Sequence, residues 1–430
     1  MLDINFIRNN PEKVRESLKN RNKEHLVDIS EVLSLDKEHA VLERKLQNLY
    51  NQRNNAAKNR NIEEWKIIKT EIKELENQKE IISKKLLELL LKIPNIPMDD
   101  VPIWKDENEN KILKRVWEIP QFSFTPKPHE VLGKELWIIN TERASDVAWS
   151  RFNYLIWDGA LLEKSLQDYA RSILTDKEKI NQIIKDNNLN VSDKAFIPVS
   201  PPNFINPETF LKMARLEPQK DRYFLKDDNL FLIGSAEHTL WPIHMWEIIP
   251  QKNLPIRYFA TTSCYRKEAW TYGKDMKWIL RQHQFNKVEM LSYSNPQDSF
   301  QEHLLFVAIQ EYLVKSLWLP YQKVLLCTWD MWTPDVRHVD IEIRLPWQNK
   351  YRETHSADYN TDYQSRRLNI RTITDGKKEF VHLNDWTAYA LWRMIIAILE
   401  NNQQEDWSIL IPQVLQPYMW KEKIVKKSEN

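Results

Sequence analysis

The sequence predicts an α+β protein in which an N-terminal arm of two antiparallel helices precedes a domain built on an antiparallel sheet flanked by helices. Residues 29–92 contain neither glycine nor proline, and their leucines and isoleucines recur at helical spacing, which predicts a two-helix coiled coil. From about residue 111 onward, helical patterns take turns with segments in which apolar and polar residues alternate. We therefore expect a helical arm domain over residues 1–110 and a second domain over residues 111–430.

Composition limits the classes of protein to which the chain can belong. Its 430 residues are enough for two or three domains, and a net charge of +1 means that any contact with nucleic acid must come from a local basic patch. Cys264 and Cys327 are too few for a disulfide framework or a thiolate zinc cluster. The sequence has no apolar N-terminal signal and no run of 18 apolar residues, so we expect a cytoplasmic protein with no membrane contact.

The arm follows a short N-terminal helix that Pro11 should begin. An interruption near residues 59–61 divides the arm into two long helices. Both helices carry basic side chains, namely Arg44, Lys45, Arg53, Lys58, Arg60, Lys66, Lys69, Lys73 and Lys84. These side chains could follow a phosphate backbone, or they could form a solvated face with ion pairs between neighbouring turns. The charge pattern alone favours the second interpretation.

The second domain shows separate helix and strand signals. Helical patterns cover residues 161–174 and 388–401, and strand patterns cover residues 229–235 and 336–345. Prolines interrupt an extended segment at residues 196–202. The glycine-rich phosphate-binding motifs of P-loop and dinucleotide-binding proteins do not occur.

A hairpin over residues 261–293 is the main candidate for a functional site. Arg266 and Glu268 stand two apart on its first strand, so they should project from the same face. The return strand places five side chains on one face at a period of two, namely Arg281, His283, Phe285, Lys287 and Glu289. Two arginines, two carboxylates and an aromatic ring on one surface suit a ligand with phosphates, a flat base and an ammonium group.

Several motifs then resemble bacterial-type seryl-tRNA synthetases, which are class II aminoacyl-tRNA synthetases. The motifs are the N-terminal MLDINFIRNNPE, KIPNIP after the arm, the RKE of the hairpin with RQHQFNKVEM on its return strand, and ENNQQEDWS near the end. The resemblance covers essentially the whole chain. It implies that the three class II motifs are the segment ending at Pro202, the hairpin from Tyr265 onward, and residues 387–393 with the helix that follows them.

The resemblance implies a two-step reaction in which L-serine and ATP form seryl-adenylate and the serine then passes to tRNA. Arg266 and Arg393 would be the catalytic residues. The implied ATP contacts are Arg266, Lys267, Glu268, Arg281, Phe285, Glu353, Thr354, His355, Ser356 and Arg393. The implied serine contacts are Ser235, Ala236, Glu237, Arg266, Glu289, Asp385 and Thr387. Glu353 and Ser356 would hold Mg²⁺, with Glu400 as a further candidate.

The resemblance also implies partners. The arm would bind tRNA(Ser), with tRNA(Sec) as a second candidate, and the protein would be a homodimer in which one subunit's arm reaches the tRNA of the other. Each site residue has a simpler explanation when taken alone. Arg266 and Glu268 could form an ordinary ion pair, and Phe285 could be part of the core. A class II synthetase for threonine or proline is a further alternative, against which the arm, Glu289 and Thr387 argue.

Tryptophan and glycine occur in abnormal numbers. The chain has 18 tryptophans and 5 glycines, whereas ordinary usage would give about 30 glycines. The family has glycine at nine of the tryptophan positions, namely Trp270, Trp278, Trp329, Trp332, Trp347, Trp386, Trp392, Trp407 and Trp420. One explanation is a gene in which UGA encodes glycine but was translated as tryptophan. The other is a catalytically inactive, tRNA-binding paralogue.

Overall fold

The fold is that of a computed structural model, which describes residues 1–103, 107–268 and 280–426. Part of the predicted hairpin loop lies outside these ranges, including Trp270, Gly273, Lys274, Lys277 and Trp278. The helices are α1 (Ile4–Asn9), α2 (Pro11–Asn20), α3 (Ile29–Lys58), α4 (Ile62–Lys92), α5 (His129–Glu135), α6 (Thr141–Ala148), α7 (Asp158–Leu174), α8 (Lys177–Asp186), α9 (Pro207–Lys212), α10 (Glu237–Leu240), α11 (Ser299–Ser316), α12 (Tyr363–Leu368), α13 (Leu391–Asn402) and α14 (Gln416–Met419).

The strands are mostly short, and the long ones belong to one sheet. They are β1 (Lys111–Val116), β2 (Ile139–Asn140), β3 (Tyr154–Leu155), β4 (Ile197–Pro198), β5 (Phe204–Ile205), β6 (Phe224–Leu225), β7 (Leu230–Leu232), β8 (Ile248–Pro250), β9 (Ile256–Tyr265), β10 (Gln284–Ser294), β11 (Tyr321–Leu325), β12 (Arg337–Leu345), β13 (Lys350–Tyr359), β14 (Arg371–Thr374), β15 (Lys377–Phe380), β16 (His382–Ala390), β17 (Ile409–Leu410) and β18 (Lys423–Ile424).

The predicted arm is present as the antiparallel helices α3 and α4. Asp28 caps α3 by accepting from the Ser30 N–H at 2.8 Å, and Asn61 caps α4 by accepting from the Glu64 N–H at 3.3 Å. Leu46 and Leu49 pack against Ile68 in the seam between the helices. Thirty residues of α-helix span about 45 Å, so the turn near residue 60 lies far from the base of the arm.

The base of the arm is fixed to the second domain by buried polar contacts. The guanidinium of Arg21 donates to the carbonyl oxygens of Asn95 at 3.1 Å and Asp335 at 3.0 Å. The side-chain amide of Asn95 donates to the carbonyl oxygens of Pro334 at 2.8 Å and Asn360 at 2.9 Å. These contacts satisfy buried polar groups that would otherwise destabilise the junction.

The second domain is built on an eight-stranded sheet in the order β1-β11-β12-β13-β16-β10-β9-β4. All neighbouring strands are antiparallel except β4, which pairs parallel with β9 at the edge. Helices α7, α11 and α13 pack with one face of the sheet in the largest apolar core. The prediction of an α+β domain with a mainly antiparallel sheet is therefore confirmed.

Two predicted elements have different boundaries in the structure. The helix expected over residues 388–401 begins at Leu391, because β16 continues to Ala390. The strand expected over residues 229–235 is the three-residue β7. Both differences occur at the ends of strands, where the chain changes direction. Within the ranges that the structure describes, no helix is both long and apolar enough to cross a membrane.

Candidate active site

A cavity of about 820 Å³ opens on the sheet face opposite helices α11 and α13. It is lined from β10, β12, β13 and β16, from the segment after β9, and from the first turn of α13. Thirteen of the predicted site residues line it, namely Ser235, Glu237, Arg266, Glu268, Arg281, Phe285, Glu289, Glu353, Thr354, Ser356, Asp385, Thr387 and Arg393. Its volume and its mixture of charged and aromatic walls suit a nucleotide-sized ligand.

The hairpin reaches the cavity in a different way from the one predicted. Strand β9 ends at Tyr265, so Arg266 and Glu268 follow the strand, and Glu268 has a positive φ of 49°. Both side chains still line the cavity, and Arg281 Nη1 lies 2.9 Å from Glu268 Oε2. The prediction that Arg266 and Glu268 project from one face of the first strand is therefore wrong, because both residues lie beyond the end of that strand.

The return strand is also shorter than predicted. Because β10 begins at Gln284, the period-two face holds for Phe285, Lys287 and Glu289. His283 precedes the strand, and its Nδ1 lies 3.1 Å from the carbonyl oxygen of Arg266. It does not line the cavity within the described ranges.

Arg266 is held by one hydrogen bond and one aromatic ring. Its Nε donates to the carbonyl oxygen of Gly234 at 3.1 Å, and its guanidinium carbon lies 5.4 Å from the centre of the Phe285 ring. This geometry fixes the plane of the guanidinium while part of its hydrogen-bonding edge faces the cavity.

Glu289 is the centre of a buried polar group. Ser235 Oγ donates to Glu289 Oε2 at 2.8 Å, and Thr387 Oγ1 donates to Glu289 Oε1 at 2.8 Å. Lys287 Nζ lies 2.6 Å from the same carboxylate. Burial acts to lower the pKa of Lys287, but the Glu289 carboxylate leaves it raised. Three predicted serine contacts thus meet at one charged centre.

Glu353 and Arg393 meet on the opposite side of the cavity. Arg393 Nη1 lies 3.0 Å from Glu353 Oε2. Partial desolvation in the cavity acts to raise the pKa of Glu353, but the Arg393 guanidinium holds it below its ordinary value. Burial and then the Glu353 charge raise the pKa of Asp340 to about 7. The concentration of carboxylates at Glu353, Asp340 and Glu342 fits Mg²⁺, which prefers carboxylate and phosphate oxygens.

Comparisons with known proteins agree with this geometry. The family model described as "Seryl-tRNA synthetase N-terminal domain" matches residues 1–97, and the model described as "tRNA synthetase class II core domain (G, H, P, S and T)" matches residues 223–402. A protein of Thermodesulfovibrio yellowstonii named serine–tRNA ligase is 37% identical over 97% of this chain and 99% of its own length. The chain belongs to the seryl-tRNA synthetase family.

Further relatives extend the same result. A serine–tRNA ligase of Elusimicrobium minutum is 37% identical over 98% of this chain and 99% of its own length. The crystal structure of seryl-tRNA synthetase from Pyrococcus horikoshii complexed with ATP has a TM-score of 0.88 to this chain at 35% identity, and the match covers 100% of both chains. The predicted family is therefore confirmed along the whole chain.

Three residues of the implied seryl-tRNA synthetase site lie elsewhere. Ala236 is fully buried in the second apolar core. Lys267 is exposed, with its ammonium 5.6 Å from the Tyr223 ring. His355 is fully buried, because a bulge at Thr354 on β13, opposite Ile341 and Glu342 of β12, turns the next side chain to the other face of the sheet. Burial lowers the pKa of His355 to about 3.

Glu400 also needs correction as a candidate metal contact. Its side chain is fully buried, and Glu400 Oε1 lies 2.7 Å from His129 Nδ1. The pair belongs to the core around α13 and α5, because Glu400 is about two turns beyond Arg393, the last residue of α13 that lines the cavity.

Sequence reasoning missed Arg215, which is buried beside the predicted serine contacts. Arg215 Nη2 lies 2.8 Å from Asp358 Oδ2, 3.3 Å from Glu237 Oε2 and 3.7 Å from Asp385 Oδ2. Burial acts to lower the pKa of Arg215, but these three carboxylates raise it well above its ordinary value. The sequence alone could have predicted Asp358 and Asp340 as site residues, since both lie on the polar faces of strands in which polar and apolar residues alternate.

Replacing Arg215 with methionine is expected to lower the free energy of unfolding by about 3–5 kcal/mol at pH 8, because buried carboxylates would lose their cation. Their folded-state pKa values would then rise. A carboxyl with a raised folded-state pKa destabilises the protein above its ordinary pKa, and that cost disappears as pH falls through the raised value. We therefore expect the deficit to shrink between pH 8 and pH 5.5, as measured by urea denaturation.

The matched control is Arg21→Met. Arg21 is equally buried, but its guanidinium donates to backbone carbonyl oxygens. Its loss should destabilise the protein by a similar amount at both pH values. An Arg215→Met deficit that did not change with pH would contradict the carboxylate explanation.

Proposed function

We propose that the chain is an ATP-dependent serine–tRNA ligase, which converts L-serine to seryl-adenylate in this cavity and transfers the serine to tRNA(Ser). The observation that carries the proposal is the meeting of Arg266, Phe285 and Glu289 on one cavity wall. These residues supply a planar cation, an aromatic ring and a buried carboxylate. Membership of the seryl-tRNA synthetase family supports the same assignment.

The cation–ring pair is the proposed site of nucleotide activation. Phe285 stacks under adenine while Glu268 orients the amino group of the base. Arg266 bridges the α-phosphate and the serine carboxylate, since a guanidinium can bind two oxygens at once. Arg281 and Arg393 face the outer phosphates. Positioning and charge stabilisation then accelerate the attack of the carboxylate on the α-phosphate without a protein nucleophile. The bond between the α- and β-phosphates breaks and pyrophosphate leaves, and the later transfer of serine to the tRNA hydroxyl releases AMP.

Magnesium would be held near Glu353 and Ser356, with Asp340 and Glu342 beside them. The carboxylate concentration there supports the assignment. When bound, the ion neutralises phosphate charge. The protein residues orient the nucleotide: Arg393 keeps Glu353 ionised through their 3.0 Å contact.

Serine would lie against the group around Glu289. Its ammonium contacts the carboxylates of Glu289, Glu237 and Asp385. Its hydroxyl forms hydrogen bonds with the side chains of Glu289 and Thr387. A buried acceptor left without its partner strongly disfavours alanine. The enclosed position of Ser235 against Glu289 leaves little room for the extra methyl group of threonine.

The partners follow from the rest of the fold. We propose that the arm over residues 29–92 binds tRNA(Ser), which its exposed basic residues support. We also propose a cytoplasmic homodimer in which the segment ending at Pro202 contributes to the interface. Strand β4 of this segment lies at the edge of the sheet, and the Ile197 side chain is half exposed there.

The test is amino-acid-dependent exchange of pyrophosphate into ATP by the natural protein. Serine should support exchange, and alanine should support it about 10⁴-fold less efficiently because it lacks the hydroxyl. Threonine should also be a poor substrate, and transfer to tRNA(Ser) should follow. Faster exchange with threonine or proline would identify a different class II enzyme, and no exchange with any amino acid would identify a non-catalytic protein.

A further inference from the structure

Many tryptophans of this chain occupy backbone conformations that suit glycine. Of the 18 tryptophans, Trp104, Trp270 and Trp278 lie outside the described residues. Eight of the remaining fifteen have φ between 48° and 71°, namely Trp117, Trp137, Trp149, Trp157, Trp246, Trp318, Trp407 and Trp420. Few non-glycine residues adopt this left-handed region, and bulky ones are rarer still. Chance placement of tryptophan does not explain this concentration.

Hydrogen bonds show why the backbone must turn there. After α5, the Trp137 N–H donates to the Lys134 carbonyl at 3.1 Å and the Ile138 N–H donates to the Gly133 carbonyl at 2.9 Å. This pair of bonds is the Schellman motif, in which glycine normally takes the place of Trp137. Trp420 ends α14 in the αL conformation, and its N–H donates to the Gln416 carbonyl. Trp149 ends α6 at φ 69° and ψ −173°, a region that essentially only glycine adopts, and its N–H donates to the Ser145 carbonyl. The turns are therefore parts of regular helix termini.

The indole rings of these eight residues gain little from packing. Their exposed fractions run from 37% for Trp407 to 85% for Trp149. Tryptophan normally buries a large apolar area. Trp117 and Trp318 stack with their ring centres 5.0 Å apart, and lysine ammonium groups lie over the rings of Trp246 and Trp407. Such contacts at exposed sites contribute about 0.5–1.5 kcal/mol, which does not exceed the backbone cost of about 1–2 kcal/mol at each position.

The glycines already present make the same point by contrast. Among the four described glycines, only Gly376 has a positive φ. At Gly133 and Gly159 an added Cβ would lie 2.6 Å from Ile139 and 2.4 Å from Ile138, so these two serve close packing. Glycine is therefore absent from most of the left-handed turns of the described residues, where it would be expected, and tryptophan stands at eight of them.

Trp386 joins the set through an independent observation. Its ring centre lies 3.7 Å from that of Phe306 at an angle of 32°, whereas aromatic pairs prefer about 4.5–7 Å. Its indole N–H is buried with no hydrogen-bond partner among the described residues. The residue stands between Asp385 and Thr387 on β16, so its excess volume presses on the strand that carries two proposed serine contacts.

We propose that nine tryptophans, namely the eight at positive φ and Trp386, are glycine in the natural protein. Its gene would carry UGA codons that its own translation system decodes as glycine. One reassigned codon accounts for the excess of tryptophan, the deficit of glycine and the left-handed turns together. Trp65 and Trp241 are not included, since both occupy helical backbone and pack against apolar neighbours. The inference is independent of the proposed function.

The first test reads the nine codons and the peptides of the protein purified from its native cells. We expect UGA at all nine positions and glycine in every corresponding peptide by mass spectrometry. UGG codons would overturn the proposal, and so would UGA codons whose peptides contain tryptophan.

The second test isolates the backbone contribution in recombinant protein. Trp149→Gly should raise the midpoint of thermal unfolding by several degrees. Trp149→Ala also removes the indole but retains the Cβ, and it should raise the midpoint much less. Equal midpoints for the two variants would show that the left-handed turn does not require glycine.

Discussion

The Arg266→Ala variant is expected to lose about 10³-fold in serine-dependent ATP–pyrophosphate exchange while retaining its fold. In the proposed function Arg266 stabilises charge as it develops on the α-phosphate, and removing one such donor typically costs 10²–10³-fold. Here a cation and two donors are lost together. The measurement is kcat/KM for exchange, with the thermal unfolding midpoint recorded in parallel.

The Arg266→Lys variant should recover only part of this activity. An ammonium keeps the charge but cannot bind two oxygens in one plane, and it would not keep the 3.1 Å contact to the Gly234 carbonyl together with the position over Phe285. Arg171→Ala is the control, because Arg171 is an exposed residue of α7 that pairs with Asp168. Exchange by Arg266→Ala within tenfold of the parent would contradict the assignment.

The sequence allowed correct prediction of the parts of the site that depend on local pattern. Phe285, Lys287 and Glu289 face the cavity because β10 keeps its period-two alternation without interruption. The arm was predictable for a similar reason, since its apolar spacing continues for many turns without glycine or proline. Long regular patterns fix the direction of side chains before any tertiary contact is known.

Register and distant contacts limited prediction elsewhere. A shift of one residue moves every side chain of a strand to the other face, and the bulge at Thr354 on β13 buries His355 in this way. Arg215 follows the short helix α9, yet two of its three carboxylate partners come from β13 and β16, about 140 or more residues later. No local pattern reports such a contact.

Backbone energetics connect the tryptophan positions to the question of catalytic competence. A residue with a Cβ in the left-handed region costs about 1–2 kcal/mol, so eight such residues would cost about 8–16 kcal/mol. This cost equals the whole stability of a typical domain, about 5–15 kcal/mol. The arm and the sheet are joined by well-formed buried contacts, which a fold that had lost this much stability would not keep. Glycine at the eight positions removes the backbone cost. The tryptophans therefore do not support an inactive paralogue.

Shortening the arm is expected to separate the two half-reactions. Lys79 Nζ lies 3.2 Å from Glu43 Oε1, so the two helices face each other at this level. Replacing residues 45–77 with the chain's own turn, residues 59–61, keeps the base of the arm and its apolar cluster with α2. Aminoacylation of tRNA(Ser) should fall by about 10³-fold in kcat/KM, because the proposed phosphate contacts of the arm are removed. Serine-dependent exchange should stay within twofold of the parent.

A charge-only variant distinguishes phosphate contacts from a general effect of shortening. Lys58, Arg60 and Lys66 are exposed near the tip of the arm. Their replacement by glutamine should weaken tRNA binding and reduce the slope of log affinity against log salt by about 2–3, since each phosphate contact contributes about 0.7–0.9 to that slope. The matched control replaces Lys177, Lys179 and Lys185, which are exposed on α8. Equal salt slopes for the two triple variants would show that the basic residues of the tip form a solvated face, and the arm would then have to recognise tRNA by shape through its other side chains.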